Sequence, residues 1–405
     1  MTGAETAGAS PPLSDRLLIA LLAAITAAGP VAMNIYLPAL PAVQAQFGTT
    51  VAEMNTTVSA ALVAFAAGIL LYGPVSDRFG RRPVILLGMA VFAAGNLLCL
   101  LAPTLEALLA GRVVQALGTS AGTVVARAML GDLYPREKLA RMLALLTMVM
   151  VLGPTTAPLV GGVITEALGW KAVFAFLLLA NAAILLAAWR FLPETRQRAD
   201  RAVPVARLVG AWASMLRKGA FLGFSIQAGT IFAVFLTFIS LAPYVMAALG
   251  HSATEYGLWY LLVAIGYFVG NGYVARHAAR VGLQKLITVG TTLQLVCALA
   301  GAGLVLAGFW HPAAVFVPMG LVGFAQGLCL PNIMASAVAL APRTAGAASS
   351  IIGFTQQLFG ALAVQAMAVF PTDTPVPVYL FTVAATAAAW LSLFILPRAD
   401  ASAES

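Results

Sequence analysis

Gly73-Pro-Val-Ser-Asp77-Arg78-Phe-Gly80-Arg81-Arg82-Pro83 is a cluster of charge set between two long apolar runs, near 56–75 and 83–102. Three arginines and an aspartate fall together here, in a chain of which only 9% of residues are charged. Each flanking run has the length that a hydrocarbon core of roughly 30 Å demands, about 20 residues at 1.5 Å each. A soluble chain of 405 residues needs far more charge to cover its surface, and an apolar content of 61% points to lipid as the solvent. The mean hydropathy of +0.96 agrees. A charged stretch between two such runs marks a place where the chain leaves the membrane and turns back.

Runs of similar length lie near 17–36, 105–126, 141–163 and 170–191, and again near 219–247, 256–275, 284–307, 313–334, 346–369 and 377–396, making twelve. The runs are too long for membrane strands and lack alternation, so an all-α membrane protein of 12 transmembrane helices is expected. The first run is read as a retained helix rather than a cleaved signal, because so many spans follow it.

Orientation follows from Lys and Arg. With the N-terminus inside, Arg78, Arg81 and Arg82 share the cytoplasmic side with Arg136, Lys138, Arg141, Arg276, Arg280, Lys285 and Arg343. Of 22 basic residues only Lys171 falls on the other side and only Arg112 lies deep in a span, leaving 22 − 2 = 20 at the cytoplasmic side or its edge. Both termini are therefore expected in the cytoplasm. The net charge of +8 does not indicate nucleic acid, since the basic residues are spread over short loops rather than gathered on one soluble face.

The polar stretch 193–218 is the longest in the chain and divides the spans six and six. Expected domains are a six-helix half over 1–192, a cytoplasmic linker over 193–218 and a second half over 219–405. Two pseudo-symmetric halves joined in this way suggest a parallel repeat with a substrate cavity between them near the bilayer midplane. A weak echo of duplication supports this: Gly73 to Gly80 follows the second span, and Gly272-Tyr-Val-Ala-Arg276-His-Ala-Ala-Arg280-Val-Gly282 follows the eighth.

The 73–83 stretch alone is what any basic cytoplasmic loop looks like. Its full spacing, however, resembles the signature of the major facilitator superfamily, G-x-L-x-D-R-x-G-R-R, with Val75 at the leucine position. Three further stretches narrow the resemblance: Tyr36-Leu-Pro38-Ala-Leu-Pro41; Leu109-Ala-Gly-Arg112-Val-Val-Gln115-Ala-Leu-Gly118; and Gly153-Pro154-Thr-Thr-Ala-Pro158-Leu-Val-Gly161-Gly162. With Ala126-Arg127-Ala-Met-Leu-Gly-Asp132, they resemble the bicyclomycin and chloramphenicol resistance subgroup of twelve-span drug–proton antiporters. The resemblance implies a latch between helices, formed by Gly73, Asp77, Arg78, Gly80, Arg81 and Arg82 with Asp132 of the next cytoplasmic loop as partner of Arg81. It also implies an antiporter motif in Gly153, Pro154, Pro158, Gly161 and Gly162. Physically, the two prolines remove backbone donors and bend the fifth helix, while the glycine pair admits a close neighbour.

Arg112 stands out on physical grounds, because a cation inside a span is costly unless it faces a cavity or a partner; snorkelling to the interface is the plainer account. By resemblance it sits near the cavity and takes part in proton coupling. Asn34 is a departure. Most close relatives carry an aspartate two residues before Tyr36, as the proton carrier, and an amide cannot titrate. The fourteen acids all fall at span ends or outside the spans, Glu53, Glu106, Glu166, Glu255 and Asp373 on the outer side. Polar groups within spans, Gln115, Gln227, Gln326, Asn332, Gln356 and Gln357, are candidate cavity lining together with Asn34, Tyr36 and Arg112. Phe232, Phe235 and Tyr267 are candidate aromatic contacts, although phenylalanine faces lipid at least as often.

Two tempting signals are set aside. Gly118-Thr-Ser120-Ala-Gly122 matches a serine-hydrolase elbow, but the motif lies mid-helix, where close helix packing explains it. Cys99, Cys297 and Cys329 are isolated in apolar runs, and His251, His277 and His311 lie at span ends; no metal and no cofactor is expected. The leading expectation is a secondary transporter in a bacterial inner membrane, exporting small amphipathic drugs or toxic compounds by alternating access and proton antiport. Its partners are a small-molecule substrate, protons and the lipid bilayer, with no nucleic acid, and it acts as a monomer. The alternative is an importer or facilitator of a small metabolite or metal ion on the same fold. A membrane-embedded enzyme or receptor would need intramembrane acids, a His-Glu metal motif or a soluble domain, none of which the sequence supplies.

Overall fold

A computed structural model describes residues 15–196, 205–340 and 345–394. In chain order the helices are α1 (Asp15–Ile35), α2 (Leu40–Phe47), α3 (Val51–Phe79), α4 (Arg81–Leu101), α5 (Leu105–Leu133), α6 (Arg136–Leu168), α7 (Lys171–Phe191), α8 (Val205–Leu216), α9 (Gly219–Ala248), α10 (Ala253–Val281), α11 (Leu283–Leu306), α12 (Pro312–Ala339), α13 (Ala345–Met367) and α14 (Val376–Leu391). Eleven spans among the described residues are long and apolar enough to cross a bilayer, α1 and α2 counting as one; α6, of 33 residues, stands between α5 and α7. No strand occurs among the described residues. On α7, Phe176, Leu179, Leu186 and Trp189 are all exposed, a face that only lipid accommodates. The chain is a multi-pass membrane protein.

Three local features differ from the sequence expectation. The first span does not stop at Tyr36: a 3₁₀ turn over Leu37–Ala39, with Pro38 withholding a donor, leads into α2. The 73–83 stretch is not a loop. Asp77 and Arg78 lie in the last turn of α3, Arg81 and Arg82 open α4, and Gly80 alone makes the turn with φ +100° and ψ 155°, a region essentially reserved for glycine. Asp132 likewise belongs to the last turn of α5 rather than to a loop. At Asp77 and Asp132 the helix outruns the apolar stretch, because polar residues beyond the membrane continue the backbone ladder in water. The linker also holds α8, whose Trp212 and Met215 pack on the core of α9, α12 and α13.

The internal echo is structural as well as sequential. Gly282 makes the α10–α11 turn with φ +87° and ψ 146°, close to the geometry of Gly80 at the α3–α4 turn. The opposite ends of those two helices match too. Thr50 and Glu53 form a reciprocal capping box at the start of α3, and Ser252 and Glu255 do so at the start of α10.

We call the end bearing the Gly80 and Gly282 turns the basic face, and the other the opposite face. Toward the opposite face a single hydrophobic core crosses between the two six-helix sets, joining Tyr36, Met54, Val58 and Phe174 to Phe238, Tyr256, Phe316 and Val364. Toward the basic face the cores are separate: Leu22, Ile85, Met129 and Leu146 belong to one, and Phe221, Phe224, Ile333 and Ile352 to another. Each half thus keeps its own apolar interior at the basic face, and among the described residues no apolar core joins the halves there.

Candidate functional site

Arg112 lies about two helical turns into α5, beside the core that the two halves share, and is fully buried. It donates through Nη1 to the Ala32 carbonyl at 3.3 Å and to Gln115 Oε1, and through Nη2 to Met33 Sδ at 3.6 Å. Its guanidinium carbon stands 4.7 Å from the centroid of the Tyr36 ring. Gln115 in turn donates to Asn96 Oδ1 at 2.7 Å, and Asn96 to the Phe92 carbonyl at 2.9 Å. Every one of these partners is neutral. Snorkelling does not occur; the charge is held in place by carbonyl, amide, sulfur and ring, and Arg112 Nε has no partner.

Asn34 is buried but lies outside this network. It donates to the Pro30 carbonyl at 2.8 Å, and it shares a helix face with Ala27 and Val31, which meet Gly153 of α6. Its Oδ1 is unpartnered. The remaining amides brace neighbouring helices. Gln227 donates to the Ala389 carbonyl at 3.2 Å, Gln326 to the Ile231 carbonyl at 2.5 Å, and Gln356 to Met334 Sδ at 3.7 Å. Asn332 bonds back to the Leu328 carbonyl at 2.7 Å. Phe232 and Phe235 are half-buried and pair at 6.1 Å, while Tyr267 is half-buried on α10. Ser120 donates to the Leu117 carbonyl at 2.7 Å, and Gly118 lies against the Phe92 backbone, so that motif is helix packing.

The opposite face is held shut by contacts between the halves that the sequence did not reveal. Glu166, in the last turn of α6, accepts from Thr254 N at 2.8 Å and from Thr254 Oγ1 at 2.6 Å, so a carboxylate of one half caps α10 of the other. Ser59 of α3 donates to Gln365 Oε1 at 3.1 Å, and Gln365 Nε2 donates to the Ala52 carbonyl at 3.3 Å. Glycine lets the backbones touch. A Cβ on Gly162 would stand 2.4 Å from the Ala253 carbonyl oxygen, and one on Gly257 would stand 2.5 Å from Leu159 Cα. Gly161, next to Gly162, turns the other way, toward Ile35 of its own half. Pro154 and Pro158 both lie inside α6, between these glycines and the basic face.

At the basic face, Arg81 bridges two carboxylates, Asp77 at 2.6 Å and Asp132 at 3.0 Å, and donates to Ser76 Oγ at 2.7 Å. Glu194, just past α7, accepts from the backbone N–H groups of Arg81 at 3.0 Å and Arg82 at 3.2 Å, capping α4. Arg82 donates to the Trp189 carbonyl at 2.6 Å. Gly73 lies one turn above Asp77 on α3, and Arg78 is exposed beside Phe79. The whole cluster lies within the first six-helix set and the start of the linker that follows it. Glu194 was hidden in the sequence, being an acid in a basic stretch; its position at the very start of the linker is the only hint. Glu53, an outer-end acid, is occupied in its capping box, accepting from Thr50 N at 2.8 Å.

Paired six-helix sets, a glycine turn repeated in both and a closed opposite face describe a carrier, and a profile described as Major Facilitator Superfamily matches residues 21–364. The chain belongs to that superfamily. As a member it is a transporter and not an enzyme. It is 32% identical over 373 residues to the chloramphenicol resistance protein of Pseudomonas aeruginosa, covering 87% of this chain and 84% of the relative. It is 28% identical over 358 residues to multidrug resistance protein D of Escherichia coli K12, covering 87% and 89%. Among solved structures, a bacterial homologue of the human lysosomal transporter Spinster superposes with a TM-score of 0.76 at 17% identity, covering 98% of each chain. That likeness establishes the fold. The relatives' names agree with the resistance subgroup that the sequence motifs resemble.

Proposed function

We propose that the protein exports small amphipathic drugs or toxic compounds across a bacterial inner membrane, by alternating access of its halves 1–192 and 219–405 around the linker 193–218. The observation that carries this reading is the division of the core: one core shared by both halves at the opposite face, and separate cores at the basic face. Such an arrangement seals one side while leaving the other accessible, which is one of the two states a carrier needs. The excess of Lys and Arg makes the basic face cytoplasmic, with both termini inside and the cleft open inward. Relatives of nearly the same length carry names drawn from multidrug and chloramphenicol resistance, which supports export of such compounds.

In this reading the substrate enters from the cytoplasm and meets Tyr36, Arg112, Gln115, Phe232, Phe235, Tyr267 and Gln356 near the closed end of the cleft, with Asn34, Gln227 and Gln326 in supporting positions. The Asp77–Arg81–Asp132 cluster acts as the latch that engages when the cytoplasmic side closes. The protein works as a monomer, and inward proton flow drives export. In sealed inverted vesicles, chloramphenicol is expected to accumulate in the lumen, faster when the lumen is made acidic. Absence of uptake removes the export reading, and uptake indifferent to the gradient removes proton coupling. Asn34→Asp supplies a titratable group at the departing position. If proton dependence appears only in that variant, the native chain has abandoned coupling at this site.

A further inference from the structure

Among the described residues Arg112 is the one charged side chain that is fully buried. It stands toward the closed end of the proposed cleft, and a guanidinium gives up its proton less readily than any other basic side chain. No acid among the described residues pairs with it. Asp77, Asp132 and Glu166 fall in the last turns of their helices, Glu53, Glu106 and Glu255 in the first, and none of the fourteen lies in the middle of an apolar run. The partners that Arg112 does have are a carbonyl, an amide oxygen, a thioether and an aromatic face. These lower the cost of burying the cation but leave its field uncancelled, and in a poorly polarisable interior that field reaches further than it does in water.

The other unsatisfied groups in the interior are neutral. Thr237, Ser240 and Tyr244 recur at helical spacing on α9 and carry buried hydroxyls without partners, while Asn34 Oδ1 and Gln357 Oε1 are unpartnered acceptors. A polar ligand without charge finds donors and acceptors here. An anion finds these and the attraction of Arg112. A cation finds repulsion and no carboxylate to offset the loss of its water.

We infer that the cleft selects neutral and anionic amphiphiles and rejects lipophilic cations, because its roof carries a fixed positive charge that no acid in the membrane interior balances. This inference rests on the reading of the cleft as the substrate site. It is tested by titrating the purified full-length protein, in an uncharged detergent, with three fluorescent probes that share one ring system: dansyl amide, dansyl sulfonate and dansylcadaverine. The cationic dansylcadaverine is expected to bind at least about tenfold more weakly than the neutral and anionic probes, tenfold being what a modest electrostatic difference yields. Arg112→Lys should keep that ratio and Arg112→Gln should bring it close to unity, each variant being accepted only if it elutes as a single species. Asn34→Asp, nearly isosteric, should by itself improve the binding of dansylcadaverine relative to dansyl sulfonate. Cation binding equal to or tighter than that of the neutral probe in the unmodified protein overturns the inference, as does an unchanged ratio in folded Arg112→Gln. If no probe binds and vesicle uptake of chloramphenicol is also absent, the export reading itself has failed; if uptake persists without binding of any probe, only the charge selection is overturned.

Discussion

Gly162→Ala is expected to leave the protein folded while forcing open the face that the structure shows closed. The added Cβ would stand 2.4 Å from the carbonyl oxygen of Ala253, 2.7 Å from its carbonyl carbon and 3.0 Å from Thr254 Cα. All three are backbone atoms of the other half, so no rotamer change relieves the contact. The halves must instead move apart at this point, which also pulls Glu166 away from Thr254. The strain exists only in the state closed at the opposite face, and a state-specific penalty is a shift of equilibrium. Overpacking of this kind costs about 1–3 kcal/mol, a shift of roughly 5- to 150-fold between the two states. Spin labels at exposed Glu53 and Asp373 should separate, while labels at Phe79 and Arg280 on the basic face draw together. Transport should fall, because the state open at the basic face is scarcely visited. Unchanged distances at both faces would show that the contact is soft and that the glycine has no gating role.

The twelve spans were legible because lipid imposes a length and an apolarity that few other structures share, and the observed helices begin within five residues of the runs. The Gly80 turn was legible for a related reason, since charge between two apolar runs has only one place to go. What stayed hidden depends on how the halves dock. Glu166 is an exposed carboxylate at a helix end, and nothing near it in the sequence says that its partner is Thr254, 88 positions away. Glu194 caps a helix that begins 113 positions earlier. Asn34 and Arg112 were grouped by resemblance, yet Arg112 meets Ala32, Met33 and Tyr36 while Asn34 shares the face that turns toward α6. Adjacent positions on a helix point apart, and only the packed structure says which neighbour each one meets. The charged stretch was misjudged as a loop because helix ends continue past the membrane, where hydropathy carries no signal about backbone conformation.

The same principle separates two adjacent glycines that one motif treats as a pair. Gly161→Ala is expected to destabilise the protein outright, where Gly162→Ala redistributes its states. A Cβ on Gly161 would stand 1.9 Å from the Ile35 carbonyl oxygen and 2.8 Å from its carbonyl carbon. Both residues belong to the first half, so rocking the halves does not relieve the clash in either state. The strain must go into the end of α1 or into α6. Ile35 is followed directly by Tyr36, whose ring lies over Arg112 and 5.4 Å from Phe174, so a displaced carbonyl there disturbs the seat of the one buried cation. Two backbones forced apart in a dense core cost about 1–3 kcal/mol or more. Here the loss falls on total stability rather than on a conformational balance. Thermal unfolding followed by size-exclusion fluorescence should show Gly161→Ala melting well below the unmodified protein, with reduced yield in the membrane. Gly162→Ala should melt close to the unmodified protein. Equal melting of the two variants would mean that both glycines serve the same contact, and the division between an internal seat and a gate would be wrong.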